Sequence, residues 1–564
     1  MYRLGIPSAL SEINPWWTLP RNYSEGDVKD LIRNDRELSM FVESRFRVRR
    51  SLFYLLFRDV DGRKAIQLKV IYSLRGPRQV GKTTLLKLLI LKLLGVSLDG
   101  GIKVSRRDAI ARPIEVIYIN FDVLGMDDAK AFLSLMYELL RTRRYVREAK
   151  HLYIFLDEVT SIMDWTKSVK GLVDKGILKN STIFVTGSHS LDVEVLSERL
   201  GGRRGETWLV EDAIPTGPDL ELLPLTFRAF AEELLSKFRE WKKETRVGGR
   251  SLAGVQGRAE LLKALVLEGR VPEALYRLHE AFGDDLRKLF ADYLLCGGIP
   301  RAVEAYLRMG KIPATIYKEY VDLTVGDATK WLGPDSNDVL RRLMKVLTEI
   351  ISTAKGKPRL FGEAGVDRGR GEKYLAFLER AYVTLSVRSM RVDTLTPVIV
   401  GAPMKRYFID PFIYYAFYAW SRSLPDPFMT AKMTVEDSAL VGRVVENTVA
   451  RHMVELARSF SPSPMFNYQD HVFYARTNGE ADFIVRIVPT RRSVGRALER
   501  ELYVPIEVKH SEKPTKEVGP INNVAASISR NMGYEVHPII LTKDTLRETG
   551  NSVAIPIHEF LAIF

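Results

Sequence analysis

At 564 residues, 46% of them hydrophobic and 27% charged, the chain is long enough for about three or four globular domains with sizeable cores. One cysteine, Cys296, excludes a disulfide framework and a cysteine-rich zinc site, and the 8 histidines show no metal-ligand spacing. The net charge of +14 points to polyanionic partners, nucleic acid first among them.

Residues 1–40 are polar and irregular, with Pro7, Pro15 and Pro20, and residues 41–65 form a basic, aromatic stretch. Apolar runs then alternate with helical patterns. Strands are expected at 68–74, 114–121, 151–156 and 181–186, and helices at 82–95, 128–141 and 164–174. That alternation predicts a parallel sheet covered by helices. Residues 225–310 are charged and helix-like, with 236–258 reading as an exposed insertion. Residues 311–400 read as short helices followed by strand pairs. Beyond 400 an amphipathic helix over about 436–457 precedes strands within 471–488 and at 502–509, an α+β pattern. The longest apolar stretch, Leu85 to Val96, is broken by Lys87 and Lys92 and is too short for a membrane span. The first residues hold no signal-peptide core, so a cytoplasmic protein with no membrane partner is expected.

The strand at 68–74 leads into Gly76-Pro77-Arg78-Gln79-Val80-Gly81-Lys82-Thr83, and Thr84 opens the helix after it. This is the strand–loop–helix order of a phosphate-binding loop. Its glycines let successive N–H groups turn inward, and the helix N-terminus adds partial positive charge. Lys82 is expected to reach the β- and γ-phosphates of ATP, and Thr83 to ligate Mg²⁺. In LYIFLDE (152–158) a doubly buried strand delivers Asp157 and Glu158 at its carboxyl end, where open α/β sheets bind ligands. Asp157 is assigned to Mg²⁺, and Glu158 to activating or positioning water. The next strand ends in Thr186 and Ser188, polar groups for the γ-phosphate or the attacking water. Arg199, Arg203 and Arg204 follow, with Arg203 and Arg204 the candidate arginine fingers.

These residues resemble a family of prokaryotic, largely archaeal, AAA+ superfamily ATPases related to the STAND class. GPRQVGKTTLL (76–86), IFLDEVTSIMDW (154–165), VTGSHSLDV (185–193), SERLGGRRGE (197–206), LLPLTFRAFAE (222–232) and YLLCGGIPRAV (293–303) occur in that family's order and span about 65–305. The resemblance implies that Pro300 of GGIP packs near the adenine. It also implies a winged helix, which the segment Asn337–Val387 resembles, with Gly365 at its turn. Lys355, Lys357, Arg359, Arg368 and Arg370 surround that segment and favour phosphate contact. AAA+ relatives often form rings, whereas STAND-like ones can stay monomeric until triggered, so a homo-oligomer is one expected state.

A second constellation lies near the C-terminus. On YVPIEVK (503–509), Glu507 and Lys509 face one side and Val504, Ile506 and Val508 the other. After the Asn478-Gly479 turn, Glu480, Asp482 and Ile484 share a face. Glu446 borders an apolar helical stripe and should have a partner. This set resembles the PD-(D/E)xK nuclease pattern. The resemblance makes Glu446, Asp482 and Glu507 ligands of Mg²⁺ or Mn²⁺, with Lys509 orienting or deprotonating a water and Glu446 completing the metal shell. Glu480 is an alternative ligand.

The expected architecture is thus α/β: an N-terminal extension (1–64), a P-loop ATPase core with a parallel sheet (65–215), a helical lid with an insertion (216–310), a winged helix and connector (311–424), and an α+β restriction-endonuclease-like domain (425–564). The expected function is an ATP-hydrolysing protein that binds nucleic acid, DNA rather than RNA, and cuts phosphodiesters with a metal. The alternative is a nucleotide-gated switch or scaffold whose nuclease-like domain only binds nucleic acid or protein.

Overall fold

The computed structural model describes residues 8–47, 51–57, 59–60, 62–124, 129–142, 149–161, 165–176, 178, 180–187, 218–399, 401–463, 465–476, 479–489, 494, 498–510 and 519–564. They form two compact units, one from residues 8–187 and 218–223 and one from residues 224–564.

The first unit is built on a five-stranded sheet. Its strands are β1 (Ile71–Arg75), β2 (Val116–Asn120), β3 (Leu152–Asp157), β4 (Ser181–Gly187) and β5 (Asp219–Glu221), and helix α1 (Lys82–Leu93) follows β1. The order across the sheet is β2-β3-β4-β1-β5, every neighbour parallel. Alternate residues serve opposite faces. Tyr72, Leu74, Tyr118, Tyr153, Phe155 and Phe184 join α1 in one core, while Ile71, Ile117, Ile119, Ile154, Leu156 and Val185 form the other. Burial on both faces is why these strands read as unbroken apolar runs.

Asn14, Trp16 and Trp17, within the stretch that reads as irregular, are hydrogen-bonded to this sheet. The Asn14 side chain donates to the carbonyl of Tyr118 at 2.8 Å and accepts its N–H at 2.7 Å, as a neighbouring strand would. The indoles of Trp16 and Trp17 both donate to the Val116 carbonyl, at 3.0 and 2.8 Å. The free edge of β2 is thereby covered. The signal missing from the sequence is that one amide side chain can satisfy an edge strand without any strand pattern of its own.

The second unit opens with helices. The segment 236–258, expected as an exposed insertion, is partly core. Phe238 is buried and stacks on Trp241, with Phe282 edge-on to both. Lys242, also buried, donates to Glu232 Oε1 at 2.7 Å and to the Ala562 carbonyl at 3.1 Å. Its long apolar stem packs inward while the ammonium finds acceptors, which charge content alone does not reveal.

After helix α2 (Pro300–Met309), the region 336–408 runs α3 (Ser336–Glu349), β6 (Ala354–Lys355), α4 (Lys357–Ala364), α5 (Arg368–Arg380), β7 (Thr384–Arg391), β8 (Thr396–Pro397) and β9 (Met404–Phe408). Gly365 ends α4 at φ +59°, a left-handed cap, and Asp367 caps α5 by accepting the Arg370 N–H at 2.9 Å. Helix α6 (Val441–Phe460) precedes β10 (Val472–Ala475), β11 (Ala481–Ile487), β12 (Leu502–Lys509), β13 (Ile539–Thr542), β14 (Arg547–Thr549) and β15 (Ser552–Pro556). One ten-stranded sheet contains all of β6 to β15, in the order β6-β9-β7-β10-β11-β12-β13-β15-β14, with β8 hydrogen-bonded to β7. The sheet crosses the sequence boundary at 424/425 through a parallel pairing of β7 with β10, at Arg388↔Phe473 and Ser389↔Tyr474.

Candidate functional site

The loop between β1 and α1 is shaped by three residues at positive φ: Gly76 (156°), Gln79 (60°) and Gly81 (95°). A Cβ on Gly76 would stand 2.0 Å from the Leu222 carbonyl oxygen, so only glycine fits there. Pro77 and Arg78 continue the turn, and buried Val80 anchors it in the core. Lys82 is buried, its ammonium donating to the carbonyls of Gly76 at 2.9 Å and Pro77 at 3.0 Å. The loop thus curls around its own lysine. Both polar atoms of the Gln79 amide are buried with no hydrogen-bond partner among the described residues. Thr83 and Thr84 stand in the first turn of α1.

Asp157, fully buried at the end of β3, gathers several donors. Its Oδ2 accepts from Thr83 at 2.8 Å, from the Tyr118 hydroxyl at 2.7 Å and from Asn120 at 3.4 Å. Its Oδ1 accepts from Thr186. Thr186 in turn accepts the Glu158 N–H at 3.1 Å. Parallel register sets this cluster: Asn120 pairs with Asp157, and the neighbouring β4 brings Thr186 alongside. Glu158 leaves the strand at φ +54°, in the sparsely populated left-handed region. Its Oε2 stands 3.7 Å from Arg78 Nη1. Burial pushes the Glu158 carboxyl up, with Lys82 and Arg78 pulling it back down.

A carboxyl raised in this way is suited to take a proton from water. The Thr83 hydroxyl and the Asp157 carboxylate are adjacent hard oxygens at the loop mouth, a donor set that fits Mg²⁺. Bound there by Thr83 and Asp157, the ion would supply positive charge to offset the negative charge of the phosphates during phosphoryl transfer. Tyr118, Asn120 and the Arg78–Glu158 pair were not singled out in the sequence. Asn120 had a signal, a polar residue ending an apolar strand; Tyr118 had none.

The second constellation converges in the second unit. Antiparallel register, with Phe483 opposite Ile506, sets Asp482 beside Glu507 on one face, and α6 brings Glu446. Lys509 Nζ stands 2.9 Å from Glu507 Oε1. Glu480, more exposed, pairs with Arg476 at 3.6 Å. A residue outside the sequence reading joins them. Lys405, on β9, is 2% exposed, and its ammonium bonds Glu446 Oε1 at 3.0 Å and Asp482 Oδ1 at 2.8 Å. The Tyr407 hydroxyl donates to the same Glu446 oxygen at 2.7 Å, and the Val508 N–H to Asp482 Oδ2 at 2.9 Å.

Burial drives the Glu446 carboxyl up to about 7, reinforced by Asp482 and opposed by Lys405. Burial and Asp482 likewise push Glu507 up to about 7. The two carboxylates overcome desolvation and raise Lys405 above its ordinary value. Glu507 Oε2 is buried without a hydrogen-bond partner among the described residues. The donor chemistry suits a divalent cation, but the arrangement does not: an ammonium already joins Glu446 to Asp482. Among the described residues no group of three or more His, Cys, Asp or Glu is placed to hold a metal. Glu446, Asp482 and Glu507, the expected metal set, are thus brought together, with the Lys405 ammonium bonded to the first two.

Pro300 is the first residue of α2, and the GGIP turn before it is seated on Asp410. The Asp410 carboxylate accepts the N–H groups of Gly298 at 2.7 Å and Phe412 at 2.9 Å, and burial pushes it up to about 7. The five basic residues singled out around the 337–387 segment each face an acid: Lys355 and Arg359 meet Glu363, Lys357 and Arg368 meet Glu372, and Arg370 meets Asp335. Exposed pairs of this kind are worth little and can yield to a phosphate. Ser188, Arg199, Arg203 and Arg204 lie outside the described residues.

Residues 69–231 match the family model described as "AAA domain". Residues 287–424 match a "Domain of unknown function (DUF8612)". No curated protein matches the chain. Among solved structures, a chain of "Structure of Drosophila ORC bound to DNA" aligns at 12% identity over 74% of this chain and 95% of its own, with a TM-score of 0.20, too low to carry any argument. No described helix is long and apolar enough to cross a membrane. The AAA match and the loop geometry together establish that this chain carries an AAA-type P-loop ATPase domain, a nucleotide-binding module.

Proposed function

We propose that the chain hydrolyses ATP at the 76–83 loop and uses the cycle to control a nucleic-acid-acting second unit. Lys82 cradles the phosphates, Thr83 and Asp157 hold Mg²⁺, Glu158 activates the attacking water, and Arg203 or Arg204 supplies the finger. The observation that carries this reading is the cluster at the strand ends, where Asp157 links Thr83 of the loop to Thr186 of β4 with Glu158 beside it. The order α3-β6-α4-α5-β7-β9, with β6 and β7 flanking β9 in antiparallel pairs, supports a winged helix engaging DNA. The meeting of Glu446, Asp482, Glu507 and Lys509 on one sheet supports a phosphodiester-acting C-terminal region.

A second reading, in which that region binds nucleic acid without cutting it, is favoured by one observation: the Lys405 ammonium between two of the acids. The experiment is cleavage of DNA and of RNA with Mg²⁺ or Mn²⁺, with and without ATP, by wild type, Lys82→Ala and Asp482→Ala. Cleavage lost in Asp482→Ala and altered in Lys82→Ala supports the leading reading. Salt-dependent binding with no cleavage supports the second. No ATP turnover by wild type, or turnover retained by Lys82→Ala, refutes both.

A further inference from the structure

We propose that Lys405 is the resident cation of the C-terminal acid cluster and competes with any divalent metal for Glu446 and Asp482. The inference rests on reading that cluster as nuclease-like, and concerns how its metal access is governed.

Every oxygen that Lys405 touches is already engaged. Glu446 Oε1 accepts from both Lys405 and Tyr407, and Asp482 Oδ1 accepts from Lys405 while its Oδ2 accepts the Val508 N–H. The ammonium also lies 5.7 Å from the centroid of the Tyr474 ring, which adds a favourable face to its surroundings. Glu507 departs from this pattern, with a buried oxygen that has no hydrogen-bond partner among the described residues. Among the described residues, the cluster therefore holds a buried Glu507 oxygen with no hydrogen-bond partner and two carboxylates bonded to one protonated amine. A dication entering between Glu446 and Asp482 must first move a buried unit charge, or meet it at close range, where repulsion in a poorly solvated site is severe.

On β9, Lys405 is paired across the ladder with Ala354 of β6 and Val387 of β7, so strands on both sides fix the backbone that carries the ammonium.

The test is Mn²⁺ binding to the full chain without nucleotide, by calorimetry and by electron paramagnetic resonance of the free ion. Wild type should show no site tighter than millimolar that depends on Asp482. Lys405→Met should gain one that binds at least about tenfold more tightly, a modest demand given the charge removed. That site should vanish in Lys405→Met/Asp482→Asn, and Lys405→Arg should behave as wild type. A micromolar wild-type site that Asp482→Asn abolishes overturns the proposal, and needs no lysine variant to fold. So does a folded Lys405→Met that binds no better than wild type. If Lys405→Met gains the site but neither protein cuts DNA or RNA, the nuclease reading fails and the role of Lys405 stands. If wild type cuts and holds a micromolar site, the reverse is true.

Discussion

Asp157 should be as necessary to the empty ATPase unit as to its catalysis. Two of its donors, Tyr118 and Thr186, are buried, and a third, Thr83, is partly exposed. Replacing Asp157 with alanine removes the acceptor from all three. Thr83 can turn to water. Each buried hydroxyl left unpaired costs roughly 1–3 kcal/mol, so the two together cost about 4 kcal/mol. For a unit of this size roughly 2–4 °C is lost per kcal/mol, which puts the expected fall in Tm at about 8–16 °C. Asp157→Asn keeps one acceptor oxygen and should fall about half as far. The assay is differential scanning calorimetry of nucleotide-free protein, following the transition that shifts with added Mg-ATP in wild type. A fall of less than about 3 °C for the alanine variant would refute the view that this carboxylate organises the strand ends.

Two further outcomes are expected. Glu158→Gln should retain ATP in equilibrium binding yet release phosphate at least about a hundredfold more slowly, the scale of a lost general base; unchanged turnover would remove Glu158 from the reaction. Asp410, raised from an ordinary 3.8 to about 7, binds protons in the folded state that the unfolded chain has released. Its contribution to stability is therefore complete below its unfolded value, declines as pH rises towards 7 and is flat above. Asp410→Asn cannot titrate, so denaturation curves should show it gaining on wild type by up to about 4 kcal/mol across that window; identical pH dependences would sink the assignment.

The ATPase sheet was legible because its strands are buried on both faces and the polar residues singled out fall at strand ends, two features that local sequence records directly. LYIFLD is β3 in full, with Glu158 just past its end, and the loop glycines stand where the backbone takes positive φ. Asp482, Glu507 and Lys509 were legible for the same reason, as alternation on short strands. Lys405 was not. It sits in PMKRYF with nothing local to distinguish it, and its acidic partners lie 41 and 77 residues away. The Asp410 seat under GGIP, 112 residues from Gly298, was hidden likewise. Charge was misleading at Lys242, where a basic helix buries one lysine, and around α5, where each basic side chain singled out already has an acid beside it. Such pairings are decided by the tertiary fold, and a one-dimensional pattern carries no trace of them.

The parallel seam between β7 and β10 bears on how this protein can be dissected. Cutting the gene at codon 425 would unzip a sheet in mid-span. The C-terminal fragment would bare the flank of β10, an invitation to self-association. It would also leave Lys405 and Tyr407 behind, stranding Glu446 beside Asp482 with neither counter-charge nor hydroxyl. Truncation would thus manufacture a fragment whose solubility and metal appetite belong to neither parent. For the same reason these two stretches are poor candidates for exchange one at a time between proteins: each supplies the other's neighbour in the sheet.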